Sequence, residues 1–349
     1  MKGSDLMVPK KMTAYGFVDP KHEEKLPFFE KKELDVPKPE SRQLLVEIKA
    51  VALNPTDLAT RSGKKADDDS FTILGRDAAG IVVETGPDVE LFEVGDEVYY
   101  PGSPTVEGTE ADYHIIDERM VGLKPKNLTF AEAAALPLTA LTSYEAIHDR
   151  LQLFHFDKEP KDISLLIMGA SGGVGSIACQ IALNYGFNVI GTASREESTQ
   201  YLKDLGIQTI IDHSQPLEKQ LKEHGYDSVD AVFLAVKAEE NIKEAAEVVK
   251  PQGRICTLLS FGGRLPNKLF SKSITLSYEL MYTRSLYQTE DWIKQHEYLT
   301  ELTKEVEAGN IVSTMTEHFP EMNEETITAA YEMLQKEHTV GKIVLEHSK

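Results

Sequence analysis

The chain has 349 residues, 41% hydrophobic and 27% charged, which is typical of a globular protein of two domains. Lysine plus arginine total 37 against 57 for aspartate plus glutamate, and the net charge of -20 disfavours nucleic acid and anionic membranes as partners. The sequence has neither the roughly 20-residue apolar run of a membrane span nor an N-terminal secretion signal, so we expect a soluble cytoplasmic protein. Its two cysteines, Cys179 and Cys256, are too few for a disulfide framework and are expected to be buried thiols.

The N-terminal third predicts β-rich structure. Up to about residue 128, short alternating apolar segments are broken by glycine and proline, with strand patterns at residues 44–48, 80–83 and 97–100. The pattern changes at Thr129, where Thr129 and Glu132 have the spacing of a capping box. In that motif each side chain satisfies a free N–H group at the start of a helix. A helix is therefore predicted to begin there.

Beyond residue 129, apolar strands alternate with helical patterns, which predicts an α/β region with a parallel sheet covered on both faces. The predicted strands are residues 164–168, 188–192, 209–212, 229–235, 254–259 and 274–280, and the helices between them include 175–185, 197–205 and 239–249. Six strands complete a doubly wound sheet. The helices at 290–307 and 324–336 and the last strand at 342–346 are therefore expected to return to the N-terminal domain.

A glycine-rich segment follows the first strand of this region, and residues 165–175 read Leu-Leu-Ile-Met-Gly-Ala-Ser-Gly-Gly-Val-Gly. It lies where a dinucleotide-binding fingerprint is expected, after an apolar strand and at the start of a helix. Gly172 would let the backbone approach a pyrophosphate, and Gly175 would let the helix pack on the strand. Free N–H groups of the helix would face the negative charge. We therefore predict that a dinucleotide is bound by Ala170, which replaces the first glycine, and by Ser171, Gly172, Gly173, Val174 and Gly175; the alternative is a structural turn.

The end of the second predicted strand favours NADPH as the cofactor. An NAD site usually carries an acidic residue about 20 positions after the glycines, whereas residues 191–195 read Gly-Thr-Ala-Ser-Arg and the first acid is Glu196. The Ser194 hydroxyl and the Arg195 guanidinium suit a 2'-phosphate. The alternative is a solvated loop arginine, since Glu196 and Glu197 follow directly.

Several motifs occur in a fixed order along nearly the whole chain. They are Asn54-Pro-Thr-Asp57 with Arg61, Gly75-Arg-Asp77-Ala-Ala-Gly80-Ile-Val, Val94-Gly-Asp-Glu-Val98, Gly108-Thr-Glu-Ala-Asp-Tyr113, Leu136-Pro-Leu-Thr-Ala-Leu-Thr142, the glycine loop and Gly341-Lys-Ile-Val344. The set resembles the quinone oxidoreductases of the medium-chain dehydrogenase/reductase superfamily, and also the branch called zinc-type alcohol dehydrogenase-like. The resemblance implies a GroES-like β-rich catalytic domain, residues 1–129 with 286–349, and a doubly wound parallel (Rossmann) domain, residues 130–285. It also places Lys342 in the cofactor site.

The zinc ligands of zinc-dependent relatives are missing from this sequence. Those enzymes hold catalytic zinc with a cysteine, a histidine after a glycine and a further cysteine, and the matching positions here are Asn54, Arg76 and Thr139 or Ala140. None of these side chains supplies a thiolate or an imidazole. Residues 100–113 contain no cysteine, so the structural-zinc lobe is missing too. We predict that no metal is bound and expect His114 to be a surface strand residue.

Without a Lewis acid, an ordinary ketone is hard to reduce, because its alkoxide has no strong stabiliser. A quinone or an α,β-unsaturated carbonyl is easier, because ordinary hydrogen-bond donors can stabilise the delocalised charge. The sequence therefore predicts NADPH-dependent hydride transfer to such a small molecule. Asn54 is the first candidate for the pocket, followed by Arg61 and Arg76. The alternatives are a cap on the turn for Asn54 and ion pairs with Asp57 or Asp77 for the arginines.

Two other functions stay open, namely reduction of enoyl thioesters or alkenals and a non-catalytic role as an NADPH-binding stress protein.

Residues 273–282 read as a sheet-edge strand, which needs pairing or protection. The resemblance implies a homodimer joined at that edge by a twofold contact.

Overall fold

The structure is a computed structural model that describes residues 8–18, 29–64, 70–336 and 339–347. The first part of the chain contains β1 (Lys11–Phe17), β2 (Glu30–Asp35), β3 (Gln43–Ala52), α1 (Pro55–Gly63), β4 (Thr72–Ile73), β5 (Asp77–Thr85), β6 (Glu97–Pro101), β7 (Tyr113–Asp117), β8 (Gly122–Leu123) and α2 (Phe130–Ala134). The middle part contains α3 (Pro137–Glu145), β9 (Ser164–Met168), α4 (Gly173–Asn184), β10 (Asn188–Thr192), α5 (Glu196–Asp204), β11 (Thr209–Ile211), α6 (Leu217–Glu223), β12 (Val229–Leu234), α7 (Ala238–Val248), β13 (Val249–Thr257), α8 (Asn267–Ser271) and β14 (Thr275–Tyr278). The last part contains α9 (Thr283–Tyr287), α10 (Lys294–Glu307), β15 (Met315–Phe319), α11 (Glu324–Gln335) and β16 (Lys342–Glu346).

These elements form two compact units, which we call unit 1 (residues 1–138 and 282–349) and unit 2 (residues 139–281). The first division comes later than the predicted one after residue 129, because α2 packs on β3 and β5 of unit 1. The capping box predicted at its start is present: Thr129 N donates to Glu132 Oε2 at 2.8 Å, and Glu132 N donates to Thr129 Oγ1 at 3.2 Å. The second boundary between the units follows residue 281, whereas the predicted boundary follows residue 285.

Unit 1 is built on a seven-stranded sheet in the order β15-β16-β3-β5-β6-β8, with β7 also paired to β3. A smaller sheet has the order β2-β1-β4. The last strand, β16, runs antiparallel to β3, with Val344 opposite Ala52. This pairing confirms that the C-terminal elements return to the N-terminal domain. Strand β3 is buried over most of its length because both of its flanks are paired.

Unit 2 contains a six-stranded sheet in the order β11-β10-β9-β12-β13-β14, and every neighbouring pair is parallel. This is the strand order of a doubly wound dinucleotide-binding sheet. The central strands β9 and β12 are buried at every residue, as expected where helices cover both faces. Strand β14 lies at the sheet edge, as predicted. Both cysteines are buried free thiols, and no described helix is long and apolar enough to cross a membrane.

Candidate functional site

Three strand ends of unit 1 meet at one place, and Asn54, the first candidate for the pocket, lies there with Asp77 and Lys342. Asn54 follows the end of β3, whereas Asp77 begins β5 and Lys342 begins β16. Both β5 and β16 run antiparallel to β3, so their first residues lie beside its last residues. Pro55 then starts α1, a position where its missing N–H group costs nothing.

Asn54, Asp77 and Lys342 form a buried group that we call the Asp77 cluster. Lys342 Nζ donates to Asp77 Oδ2 at 2.9 Å, to Leu53 O at 2.8 Å and to Asn54 Oδ1 at 2.5 Å. Asp77 Oδ2 also accepts from Asn54 Nδ2 at 2.8 Å, and Asp77 Oδ1 accepts from Leu138 N at 2.8 Å. Burial raises the pKa of Asp77, and the Lys342 ammonium and the Asn54 amide oppose that rise.

The Asp77 cluster corrects two sequence-based expectations. Asn54 Nδ2 donates to Ala52 O at 3.3 Å as well as to Asp77, so the amide has no hydrogen left for a substrate oxygen. Lys342 was expected in the cofactor site, but all three of its ammonium donors are used inside unit 1. Both side chains were expected to contact ligands, and both instead hold three strand ends together.

A second buried group, the Arg76 cluster, consists of Asp57, Arg76, Glu110 and Tyr331. Arg76 is 7% exposed. Within the described residues its guanidinium makes one hydrogen bond, from Nη1 to Gly75 O at 3.5 Å, and no ion pair. The predicted alternative of a pairing with Asp57 or Asp77 is therefore not what the described residues show. Tyr331 donates to Glu110 Oε1 at 2.6 Å.

The two carboxyl groups of the Arg76 cluster have pKa values well above the ordinary range. Burial raises the pKa of Asp57 to about 7, against the lowering effects of its hydrogen bond from Asn54 N and of the Arg76 charge. Burial likewise raises the pKa of Glu110 to about 8, and the charge of Asp57 adds to the rise. A hydrogen bond from Tyr331 and the charge of Arg76 act in the opposite direction on Glu110.

Two further residues of unit 1 were considered from the sequence. Arg61 lies in the last turn of α1, where partial burial lowers its pKa. His114 is not a surface residue, as was expected, since it is 2% exposed in β7. Its Nε2 lies 3.0 Å from Glu107 O, its ring stacks on Tyr100, and burial lowers its pKa to about 4. A histidine so held is neutral at physiological pH.

The glycine loop of unit 2 has the geometry that a dinucleotide requires. Gly169 turns the chain after β9 with φ +84°, a conformation that favours glycine. Gly169 therefore makes the tight turn that the first glycine of the fingerprint usually makes, and the next position can be an alanine, Ala170. A Cβ on Gly175 would lie 2.1 Å from Gly169 O, so only glycine lets α4 approach β9 so closely. Ser176 N is bonded to Gly172 O at 2.9 Å, which leaves the earlier N–H groups of the first turn for an anion.

The predicted 2'-phosphate residues lie at the same edge of the sheet as this loop. Ser194 and Arg195 directly follow β10, which is parallel to β9 with Gly191 opposite Ile167. Thr192 Oγ1 accepts from Gly169 N at 3.1 Å and so ties the two strand ends together. The Arg195 side chain is 42% exposed, with Glu197 at 3.7 Å, an exposed pair that stabilises little and can be exchanged for a phosphate.

No three histidine, cysteine, aspartate or glutamate side chains are grouped so that they could hold a metal ion, as far as the chain is described. At the two zinc-ligand positions in unit 1, the structure has an amide that is fully hydrogen-bonded, at Asn54, and a guanidinium, at Arg76. A guanidinium has no lone pair for a metal.

Comparison with known proteins identifies the family. Two family models match, the alcohol dehydrogenase GroES-like domain over residues 40–144 and the zinc-binding dehydrogenase domain over residues 173–301. A zinc-type alcohol dehydrogenase-like protein of Staphylococcus aureus is 38% identical over 96% of this chain and 99% of its own length. The chain therefore belongs to the zinc-type alcohol dehydrogenase-like proteins of the medium-chain dehydrogenase/reductase superfamily.

Other relatives have more specific names. The NADPH-dependent alkenal/one oxidoreductase of Arabidopsis thaliana is 34% identical over 72% of this chain and 65% of its own length. A crystal structure of a Rhizobium etli protein, a candidate zinc-dependent alcohol dehydrogenase, has a TM-score of 0.91 at 37% identity and covers 98% of this chain and 100% of its own. The quinone oxidoreductase of Coxiella burnetii has a TM-score of 0.76 at 25% identity, covering 97% of this chain and 100% of its own. The protein is thus an oxidoreductase of this family.

Sequence reasoning did not single out Asp57, Glu110 or Tyr331 as site residues. The first two lie inside motifs that were recognised, Asn54 to Asp57 and Gly108 to Tyr113. The position of an acidic residue inside a recognised motif was the available signal. Tyr331 carries no such signal, because it lies on α11 and meets Glu110 across 221 positions of sequence.

Proposed function

We propose that this protein is a zinc-independent, NADPH-dependent reductase of conjugated carbonyl compounds, namely quinones and α,β-unsaturated ketones or aldehydes. The observation that carries the proposal is the guanidinium of Arg76 at a zinc-ligand position, buried and without an ion pair in the described residues. The names of the Arabidopsis and Coxiella relatives support the same class of substrate.

In such a reaction the protein binds the cofactor and the substrate, and the cofactor, a reduced nicotinamide, supplies the hydride when bound. Gly172, Gly175 and the first turn of α4 would hold its pyrophosphate, and Ser194 and Arg195 would hold its 2'-phosphate. The hydride adds to the β-carbon, and the electron pair of the double bond moves onto the carbonyl oxygen. One proton from solvent then completes the reduction.

Arg76 replaces Asn54 as the donor that stabilises the developing oxyanion. Its Nε and Nη2 make no hydrogen bond within the described residues, whereas the Asn54 amide is fully used. A donor already in place at a developing charge contributes about 10²–10³ in turnover. A saturated aldehyde concentrates the charge on one alkoxide oxygen, so it should react more slowly than an enone.

The test is a survey of NADPH oxidation with a quinone, an enal, an enoyl thioester and a saturated aldehyde. We expect the quinone and the enal to be reduced fastest, with rates unchanged by a chelator. Arg76→Gln should lower turnover about 10²–10³-fold while the affinity for NADPH is kept. The control Arg119→Gln removes a guanidinium that is already paired with Asp117 at 2.7 Å and should leave turnover unchanged. Efficient oxidation of a primary alcohol with no quinone reduction, or activity that depends on bound zinc, would contradict the proposal.

We also propose a homodimer joined through the β14 edge. Among the described residues this edge has no strand paired to its outer side, and it exposes Tyr278 (52%) and Leu280 (49%). Light scattering should give twice the chain mass of 38.9 kDa. Tyr278→Glu should dissociate the dimer, whereas Tyr287→Glu, at a more exposed tyrosine (77%) in unit 1, should not. A wild-type monomer at micromolar concentration would refute the assembly.

A further inference from the structure

Two buried carboxyl groups of the Arg76 cluster each have one oxygen without a partner among the residues that the structure describes. Asp57 Oδ2 accepts from Asn54 N at 2.7 Å, but Asp57 Oδ1 is buried and makes no hydrogen bond to a described residue. Glu110 Oε1 accepts from Tyr331, but Glu110 Oε2 is also buried and makes no hydrogen bond within the described part of the chain. A carboxylate with a bare buried oxygen is costly, whereas a protonated carboxyl group avoids the buried charge. This geometry favours the neutral acid at both residues.

The other titratable groups that act on Arg76 are uncharged at neutral pH. They are His114 on β7, Tyr282 before α9 and Tyr331 on α11. Burial lowers the pKa of His114 and raises the pKa of both tyrosines. The nearby charges of Asp77 and Lys342 form an ion pair at 2.9 Å and offset each other. At about pH 6, below the pKa values of about 7 for Asp57 and about 8 for Glu110, the guanidinium of Arg76 is therefore the uncompensated charge of this group.

We propose that Arg76 is an oxyanion-binding site whose effective charge is controlled by the protonation of Asp57 and Glu110. Its ligand is a planar carboxylate or the enolate oxygen of a substrate, which accepts hydrogen bonds from Arg76 in the fork geometry of a guanidinium. Asp57 and Glu110 are positioning residues in this arrangement, because they act through Arg76. The inference deepens the proposed function and rests on it only for the identity of the enolate.

Anion binding at Arg76 and protonation of Asp57 and Glu110 should strengthen each other. Binding of an anion to Arg76 raises the pKa of both carboxyl groups, so protonation of the carboxyl groups must strengthen anion binding by the same factor. Affinity is then highest below the pKa values of about 7 for Asp57 and about 8 for Glu110 and falls as the pH rises through them. A rise of about one unit at one carboxyl group corresponds to about a tenfold change in affinity.

The experiment measures binding of benzoate, a planar carboxylate that stays ionised from about pH 6 to about pH 9. Calorimetric titration uses the full chain without cofactor, so the result depends on neither NADPH nor turnover. Wild-type protein should bind benzoate about tenfold or more tightly at about pH 6 than at about pH 9. Arg76→Gln should abolish the binding, and Arg119→Gln should leave it unchanged.

Two conservative variants test the control by the carboxyl groups. Glu110→Gln keeps the side-chain volume and stays neutral, so its affinity should decline less at high pH than that of the wild type. Tyr331→Phe removes the hydrogen bond that lowers the pKa of Glu110, so the decline should move to higher pH. No benzoate binding at about pH 6, equal binding by Arg76→Gln, or an unaltered pH profile in both variants would overturn the inference. Benzoate binding with this profile in a protein that reduces no conjugated carbonyl would instead refute the proposed function and leave the anion site standing.

Discussion

The Asp77 cluster and the Arg76 cluster lie in the same unit, and both bury charged groups, but they satisfy them to different degrees. Lys342 gives its donors to three protein oxygens, and both oxygens of Asp77 accept hydrogen bonds. Arg76, by contrast, makes a single long hydrogen bond in the described residues, and Asp57 and Glu110 each keep a bare oxygen. Complete hydrogen bonding is typical of groups that support a fold, whereas each unsatisfied buried group requires an explanation, such as a functional role or an ordered water. The donors of Asn54 and Lys342 are thus occupied within the protein, whereas Arg76 has donors left in the described residues, and for this reason the proposed function places the substrate oxygen at Arg76.

The largest effect should come from breaking the Asp77 cluster. Lys342→Met removes the cation and leaves Asp77 buried without its partner, which typically costs about 3–5 kcal/mol of unfolding free energy. Urea unfolding at neutral pH measures this loss. Lys304→Met, at an exposed position of α10, is the control and should change stability by less than about 0.5 kcal/mol. A Lys342→Met protein as stable as the control would show that the cluster does not support the fold.

A smaller effect on the free energy of unfolding, which depends on pH, is expected for the Arg76 cluster. The pKa of Glu110 is raised in the folded state to about 8 from the ordinary value of 4.5, so the folded protein binds more protons between these values. The contribution of Glu110 is therefore fully present below about pH 4.5 and is lost as the pH rises to about 8. Glu110→Gln should flatten the decline of stability across this range, by about 1.4 kcal/mol for each unit of the pKa shift that the substitution removes. Denaturant unfolding at several pH values measures it, with the exposed Glu297→Gln as the control. Parallel curves for wild type and Glu110→Gln would mean that Glu110 is ionised throughout.

The smallest effect concerns the exposed end of the cofactor site in unit 2. Arg195 is solvated, so its removal should leave the stability unchanged and reduce the preference for NADPH over NADH about tenfold or more. Titration of both reduced cofactors against wild type and Arg195→Ala measures the ratio. Lys219→Ala, an exposed lysine on α6, should leave the ratio unaltered. If Arg195→Ala weakens NADPH and NADH equally, Arg195 does not bind the 2'-phosphate.

Much of the fold could be predicted from local pattern. All six strands of unit 2 occur near the predicted residues, and β16 has the predicted ends, because buried strands and amphipathic helices leave distinct periods in the sequence. The glycine loop could also be predicted, since its backbone restrictions fall within a few consecutive residues. The predicted start of α10 at residue 290 was four residues early, because residues 290–293 form a turn before the helix begins at Lys294.

The sequence by itself determined the family, the six strands of unit 2, the glycine loop and the replacement of all three ligands of the catalytic zinc, since each depends on residue types at short or recurrent spacing. Only the tertiary structure decided which polar residues meet. Lys342 forms an ion pair with Asp77, 265 positions away in the sequence, and also donates a hydrogen bond to the Asn54 amide oxygen. Helix α11 brings the Tyr331 hydroxyl to the Glu110 carboxyl group. Whether a buried amide, ammonium or guanidinium is available to a ligand depends on how many of its hydrogen bonds are already made. That number is fixed by the antiparallel pairing of β3 with β5 and β16, which no local pattern contains.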